Sequence, residues 1–247
     1  MIVLFTDFGI EGPYTGQVQA VLQQQAPGIP VINLFSDLVP FDIQGAAYLL
    51  PAYAAGFPTG VVFICIVDPG VGGDRTGVVI QADGQWYVGP DEGLFSLVTR
   101  RAQSVQAARL PEAVGASPSF HGRDVFAPAA AFLARNGRLP GGCEPCEVVA
   151  HADWPDDLAR VVYIDRFGNA ITGLRTTGVP DTATLTVNDH VIKRAQTFSD
   201  VSEGEAFWYE NANGLVEIAV NRGRADALPG IRVGAAVRME SIDFNTC

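Results

Sequence analysis

Apolar and polar positions alternate along the first half of the chain in a way that predicts strands separated by helices. Uninterrupted apolar runs such as IVLFT (2–6) and GVVFICIV (60–67) are typical of buried strands. Apolar residues recur at helical spacing from about Tyr14 to Gln25 and again in DIQGAAYLLPAYAAG (42–56), so each stretch is expected to be a helix. This alternation predicts an α/β domain with a mostly parallel sheet over residues 1–150.

The same half also predicts a further strand, a hairpin and two more helices. PVINLF has the composition of a strand, and TGVVIQAD and WYVG, joined through GQ, are typical of a β-hairpin. EGLFSLVTRRA and DVFAPAAAFLARNG have helical patterns, and the second ends at Gly137, a residue type common just after a helix.

The pattern changes between residues 137 and 157, where Pro, Gly and Asp follow one another closely and indicate a linker. CEPC (143–146) lies in this stretch and is expected to be a loop, because a lone CxxC without a second pair or a nearby His is a weak zinc or redox motif. Beyond the linker, short strand-like segments alternate with turn signals and no helical period appears. Residues 158–247 are therefore expected to form a smaller all-β, barrel-like domain.

Composition and charge narrow the classes of function. The chain has 247 residues, 48% of them hydrophobic, and a formal net charge of −11. Such a charge argues against nucleic acid or an anionic membrane as the main partner, because phosphate binding needs clustered Lys and Arg. No apolar run reaches about 18 residues, and the N-terminus resembles a strand more than a signal peptide. A cytoplasmic protein without a membrane span is expected.

Polar clusters follow the strands at three places. Asp7 comes directly after the first strand, Asp68 follows the long apolar run with Arg75 seven residues later, and His121 stands in FHGRD before a helix. Ligands of open α/β sheets bind outside the carboxyl ends of the strands. These three clusters are therefore candidates for a single site.

Each candidate also has a structural interpretation. His121 is one of three histidines and could be a structural residue, a metal ligand or a general base, while Asp124 could begin the following helix. DPGVGGDR lacks the Lys-Ser/Thr of a phosphate-binding loop, and its glycines could make a tight turn. Asp7 could close a turn or hydrogen-bond a vicinal diol. The hydrolase motifs GxSxG and HExxH are absent.

The second half contains one comparable cluster. IDRFGNAITG places Asp165, Phe167 and Asn169 at a strand end and turn. An aromatic ring and a side-chain amide suit a purine, which offers a face for stacking and polar edges for hydrogen bonds. The alternative is a Gly-Asn turn beside a core Phe.

Seven motifs in order carry a resemblance to a known family: TDFG, PFD, VDPGVGG–R, VGPD–GL, FHGRDVFAP, IDRFGN and NxNGLVEIAVN. Together they resemble the S-adenosyl-L-methionine (SAM) hydroxide adenosyltransferase family, relatives of the SAM-dependent fluorinase and chlorinase, over residues 4 to about 222. The resemblance implies an α/β domain, a β-barrel domain and a homotrimer with active sites between one subunit's N-terminal domain and its neighbour's C-terminal domain. It implies the reaction of SAM with water to give adenosine and L-methionine, without a metal or other cofactor.

The resemblance also implies roles for individual residues. Asp68, Arg75 and His121 match the polar trio that the family places around the attacking water, and Asp7 matches the carboxylate that holds the ribose diol. The remaining expected substrate contacts are Phe167 and Asn169 at the adenine, Asp165 at the methionine amino group, Tyr14 at the methionine end, Phe41 and Phe198 as apolar walls, Asn211 and Asn213 near the site, and Phe8.

Some features separate this chain from its relatives. Gly12 stands where the family usually has an acidic residue, and Glu92 where it usually has Asn. Asp68 replaces the tyrosine of the halogenating relatives, whose extra loop is also missing, and both differences favour water over halide. Which of Asp68 and His121 accepts the water's proton stays open. The alternatives are a halogenase, a SAM- or adenosine-binding protein without turnover, and a metal-dependent phosphoesterase.

Overall fold

The computed structural model describes residues 1–240, so the last seven positions of the expected C-terminal domain, including Cys247, lie outside the described residues. The chain divides into two compact units, Met1–Asp153 and a second unit that begins at Trp154. Within residues 1–240, no helix is long and apolar enough to cross a membrane.

The first unit contains seven strands and four helices. Its sheet has the strand order β2-β1-β3-β5-β4-β6-β7. The elements are β1 (Ile2–Thr6), α1 (Tyr14–Gln25), β2 (Val31–Phe35), α2 (Ile43–Ala54), β3 (Val62–Ile66), β4 (Gly77–Ala82), β5 (Gln85–Pro90), α3 (Ser96–Arg101), β6 (Val105–Arg109), α4 (Ala127–Asn136) and β7 (Glu144–Pro145).

This sheet is mixed, so the expectation of a mostly parallel sheet is wrong. β1 pairs in parallel with β2 and β3, and β3 with β5, whereas β4, β6 and β7 join by antiparallel pairing. The hairpin prediction is confirmed, but the turn lies one residue earlier than the expected GQ. Ala82 faces Gln85 across Asp83 (φ 46°) and Gly84 (φ 82°), which both have positive φ. Such a turn reverses the chain without a crossover helix. The CEPC segment, expected to be a loop, contains the two-residue strand β7.

The core explains why β3 is apolar along its whole length. Val62, Ile64 and Ile66 belong to a cluster that also contains Leu22 of α1 and Ala130 of α4. The residues between them point to the opposite face of the sheet, and every residue of β3 is buried. Both faces of the sheet are thus covered, as expected of a central strand in an α/β layer.

The second unit is a curled, half-barrel sheet with the strand order β14-β10-β11-β12-β13-β9-β8. Between residues 154 and 240 it contains no α-helix, only three short 3₁₀ turns. An antiparallel bridge between Arg160 and Ala236 joins β8 to the segment before β14 and bends the sheet towards closure. Its strands are β8 (Leu158–Ile164), β9 (Ala170–Arg175), β10 (Thr184–Val187), β11 (His190–Arg194), β12 (Ala206–Glu210), β13 (Leu215–Val220) and β14 (Arg238–Glu240).

The parallel pairing of β1 and β3 brings two of the candidate carboxylates to the same edge of the first sheet. Thr6 pairs with Ile66, and the backbone N–H of Asp7 donates to the carbonyl of Ile66 at 3.2 Å. The chain therefore leaves both strands at the same level, and Asp7 and Asp68 begin two neighbouring loops.

Candidate active site

The loop after β3 carries a buried ion pair. The Nε atom of Arg75 donates to Oδ1 of Asp68 at 2.8 Å, and its Nη2 donates to Oδ2 of the same carboxylate. Both side chains are only 8% exposed. The guanidinium also lies over the ring of Phe126, 5.4 Å from its centroid. Two parallel hydrogen bonds and a stacked ring fix the orientation of the carboxylate.

His121 completes a contiguous polar cluster with this pair. Nη2 of Arg75 lies 2.9 Å from Nδ1 of His121. Because a guanidinium can only donate, Nδ1 is the acceptor and the ring proton of the neutral imidazole is on Nε2. Burial, and then the charge of Arg75, lower the pKa of His121 below its ordinary value. The imidazole is therefore neutral at pH 7 and presents Nε2–H as a donor.

A single turn of π-helix, Gly122–Phe126, holds His121 in this position between the preceding loop and α4. A Cβ at Gly122 would lie 3.0 Å from Cζ of Phe8 and 3.1 Å from Cδ1 of Ile66, so glycine lets the turn approach the sheet closely. Turns of this kind occur often at functional sites.

Arg123 and Asp124 brace the same turn from outside. They form a two-bonded ion pair at 2.7 and 2.9 Å, and Arg123 also donates to Oε1 of Gln17 in α1 at 2.9 Å. Asp124 accepts from the backbone N–H of Ser117 at 2.9 Å. Asp124 thus ties down the loop before the π-turn. It is not the helix start, because α4 begins at Ala127 and its N-cap residue is Phe126.

Asp7 faces the same space from the end of β1. Its Oδ2 accepts from the backbone N–H of Phe41 at 3.3 Å, and Phe41 has a φ of 65°, rare for a non-glycine residue. Burial raises the pKa of Asp7, and the nearby charge of Asp68 raises it further. A half-buried carboxylate of this kind suits a ligand that supplies hydrogen-bond donors.

These side chains enclose a cavity of about 340 Å³. Phe120 packs edge to face against Phe8 and Tyr14 along one wall, where the latter two rings are tilted to each other, and the ring centroids are 5.4 to 6.0 Å apart. Phe120 was not among the expected contacts, although its place beside His121 in the sequence pointed to it. The cavity is lined by Asp7, Phe8, Tyr14, Phe41, Asp68 and His121, together with Pro40, Ile66, Val71, Ser119, Phe120 and Gly122. Arg75 contacts Asp68 and His121 from behind this lining.

The second unit has a pocket of its own, with a volume of about 620 Å³, and it contains four of the expected substrate contacts. Asn169 is buried, and its backbone N–H and Nδ2 donate to the two oxygens of Asp165 at 2.8 and 3.0 Å. The amide nitrogen of Asn169 is thus held by Asp165, and the amide oxygen is its remaining polar group. Phe167 is 74% exposed and Phe198 packs against Tyr209 at 5.5 Å.

Glu217 was not singled out in the sequence, yet it is a buried carboxylate that lines this second pocket. It accepts from the hydroxyl of Tyr209 at 2.5 Å and from Nδ2 of Asn211 at 3.0 Å. The signal was a charged residue inside the apolar strand LVEIAV. Asn211 uses its Oδ1 to accept from the backbone of Asn213 and Leu215, so both expected asparagines shape a turn beside the pocket.

Among residues 1–240, no group of three or more His, Cys, Asp or Glu side chains is arranged to hold a metal ion. The polar groups at the first cavity are two carboxylates (Asp7 and Asp68), the Arg75 guanidinium and the neutral imidazole of His121. Such a set can position and deprotonate a water molecule through hydrogen bonds alone.

Comparison with known proteins identifies two family models along the chain. The SAM hydroxide adenosyltransferase N-terminal domain matches residues 2–141, and the C-terminal domain of the same family matches residues 159–238.

Individual relatives agree with these matches. A protein of Thermus thermophilus named (R)-S-adenosyl-L-methionine hydrolase is 41% identical over 256 residues, which cover 96% of this chain and 98% of that protein. A fluorinase of Nocardia brasiliensis is 22% identical over 97% of this chain and 96% of its own length. A solved structure of an uncharacterized conserved protein from Thermotoga maritima has a TM-score of 0.88 at 26% identity, with 98% of this chain and all of that one covered.

Proposed function

The chain belongs to the SAM hydroxide adenosyltransferase family, and from this premise we propose that it hydrolyses SAM to adenosine and L-methionine. Water attacks the 5′ carbon of the substrate in line with the departing sulfur. The observation that carries the proposal is the side chain of Arg75, which donates to both Asp68 and His121 at the wall of one cavity.

The reaction requires few catalytic groups from the protein. The positive sulfur of SAM makes the 5′ carbon electrophilic, and methionine leaves as a neutral thioether, so no acid is needed to protonate the leaving group. What is needed is a water oxygen held about 3 Å from the carbon, in line with the C–S bond, and an acceptor for its proton.

The tautomer of His121 indicates which residue orients the water and which accepts its proton. With Nδ1 occupied by Arg75, neutral His121 offers only a donor, so it orients the water by donating from Nε2 to the water oxygen. Asp68 then accepts the proton, because each carboxylate oxygen keeps a free lone pair after binding Arg75. Arg75 fixes both partners and does not itself need to touch the water.

The rest of the first cavity suits the nucleoside and the sulfur. Asp7 binds the two ribose hydroxyls, which supply the donors that its half-buried carboxylate lacks. The rings of Phe8, Tyr14 and Phe41 give an apolar surface on the methionine side. Such a surface favours the transition state, in which the positive charge at sulfur disappears.

The pocket of the second unit supplies the remaining contacts in this proposal. Phe167 stacks on the adenine, Phe198 lies beside it, and the amide oxygen of Asn169 accepts from the exocyclic amine. Asp165 pairs with the methionine ammonium group. Asn211 and Asn213 act indirectly, through the turn that they form.

We also propose that the active protein is a homotrimer whose sites combine the first unit of one subunit with the second unit of its neighbour. In support, Phe41 is 72% exposed at the first pocket and Phe167 is 74% exposed at the second, so both pockets present open aromatic faces. Free thiols at Cys65, Cys143 and Cys146 support a cytoplasmic location, where cysteines stay reduced.

Subunit mixing tests this assembly. Asp68→Ala and Asn169→Ala each damage a different half of the site. If sites form between subunits, refolding the two inactive variants together at equal amounts restores about one intact site in four. Mixtures that stay as inactive as the separate variants contradict shared sites.

The main competing function is halogenation, and the products distinguish it. The hydrolase relative is 41% identical to this chain and the fluorinase 22%, and a carboxylate stands at Asp68 where a halide would meet a negative charge. We expect SAM to yield adenosine and L-methionine in equal amounts, with and without added chloride. A 5′-chloro-nucleoside supports a halogenase, and SAM that is bound but unchanged supports a binding protein.

A further inference from the structure

Glu92 lies two residues after β5, outside the cavity lining, and its carboxylate reaches the loop that carries Asp68 and Arg75. The backbone N–H of Gly70, in the middle of that loop, donates to the Glu92 carboxylate. A Cβ at Gly70 would lie 2.0 Å from Oε1 of Glu92 and 3.4 Å from Cγ of Arg75. Glycine at position 70 is therefore what lets this carboxyl group sit against the loop.

The second oxygen of Glu92 is in an unusual environment. Oε2 is buried and has no hydrogen-bond partner among the described residues. Burial raises the pKa of Glu92, the charge of Asp68 raises it further, and Arg75 opposes both effects. Leaving a carboxylate oxygen buried and unpaired beside another carboxylate costs stability, and such costs are concentrated at functional sites.

Two titratable neighbours of Glu92, Asp91 and His151, contact other parts of the first unit. Its neighbour Asp91 accepts from the backbone of Val149 at 2.8 Å. The ring of His151 covers the next residue, Gly93, where a Cβ would meet its Cδ2 at 2.3 Å. Among residues 1–240, the charged groups that act on the Glu92 carboxyl are Asp68 and Arg75.

We propose that Glu92 is a positioning residue for hydrolysis, which clamps the 68–75 loop through Gly70 and places a second negative charge beside Asp68. Arg75 fixes Asp68 through two hydrogen bonds and balances its negative charge. The Glu92 charge offsets part of that effect, because the repulsion between two carboxylates is mutual. The inference rests on the proposed function, and it adds a residue that reaches the water only through Asp68.

Two substitutions separate the clamp from the charge. Glu92→Gln keeps an oxygen for the Gly70 N–H but removes the negative charge. We expect kcat to fall on the order of threefold to tenfold with KM nearly unchanged, and the acid limb of the kcat/KM profile to move to lower pH. Glu92→Ala removes both, so kcat falls further and amide hydrogen exchange at residues 70–75 accelerates. Glu112→Gln, at an exposed carboxyl in the first unit, is the matched control and leaves kcat, KM, the acid limb and the exchange rate unchanged.

The experiments distinguish failure of the proposed function from failure of the proposed role of Glu92. A wild-type protein that releases no adenosine from SAM overturns the function and this inference with it. A wild-type protein that hydrolyses SAM, with a Glu92→Gln variant that matches Glu112→Gln in kcat and acid limb, overturns the role of Glu92 alone. A Glu92→Ala variant whose loop exchanges at the wild-type rate overturns the clamp.

Discussion

Replacing Arg75 by Met removes the group that joins the two halves of the proposed water site. Methionine replaces the apolar stem of arginine but has no guanidinium. The substitution therefore deletes two hydrogen bonds to Asp68 and the one to Nδ1 of His121. It leaves the Asp68 carboxylate almost fully buried without its cation. Removing one partner of a buried ion pair costs about 3–5 kcal/mol, and we expect a loss of stability in that range at neutral pH.

The pH dependence of this loss has a defined sign. In the variant the unpaired carboxylate holds a proton more tightly when folded than when unfolded. The deficit relative to wild type is therefore smallest in acid and grows as the pH rises above the ordinary carboxyl range. Denaturant unfolding of both proteins at a series of pH values measures it.

The double variant Asp68→Asn with Arg75→Met tests the cause. Without a charge at position 68, no unpaired carboxylate is left, and we expect the double variant to recover part of the stability lost by Arg75→Met. A single variant that loses less than about 1 kcal/mol, as exposed ion pairs do, refutes the argument. So does a double variant less stable than Arg75→Met alone.

Three further predictions concern the same cavity. Asp68→Ala and His121→Ala should each reduce turnover by about 10²-fold or more with SAM binding retained, whereas Asp7→Ala should mainly raise KM; near-normal turnover in the first two contradicts their roles. NMR titration of the His121 ring should give a midpoint below the ordinary 6.5, because burial and Arg75 disfavour the charged ring; a midpoint above 6.5 contradicts the neutral tautomer. Gly122→Ala should destabilise the fold by about 1–3 kcal/mol in thermal unfolding, because its Cβ would lie 3.0 Å from the nearest side-chain carbon. Its control, Gly16→Ala in open space on α1, should be neutral or stabilising, and equal effects at the two positions count against the packing argument.

The order of strands and helices was largely predictable from apolar patterning, because burial on one or both faces imposes a period on the sequence. β1, β3, α1 and the hairpin of β4 and β5 are confirmed. The direction of pairing was not predictable in the same way. The apolar pattern of a strand reports its burial and not the direction of its neighbours. The antiparallel pairing of β6 and β7 beyond the hairpin depends on the paths of the connecting loops, which the apolar pattern does not predict.

The candidate site could be predicted only as a set of residues. The ends of β1 and β3 pointed to Asp7 and Asp68, and the ordered motifs added Arg75 and His121. That Arg75 bonds to Nδ1 of His121, which assigns the ring proton to Nε2, follows from an approach between loops 46 residues apart. In the sequence Glu92 stands out only as a departure from the family pattern, because its contact with Gly70 depends on tertiary packing.

Hydrolysis of SAM in ¹⁸O-labelled water reports on the new bond itself, because attack by water joins a solvent oxygen to the 5′ carbon. Mass spectrometry of the products of a single turnover should find the label in the 5′ hydroxyl of adenosine and none in methionine. Unlabelled adenosine, or label in the amino-acid product, would contradict attack by water at that carbon.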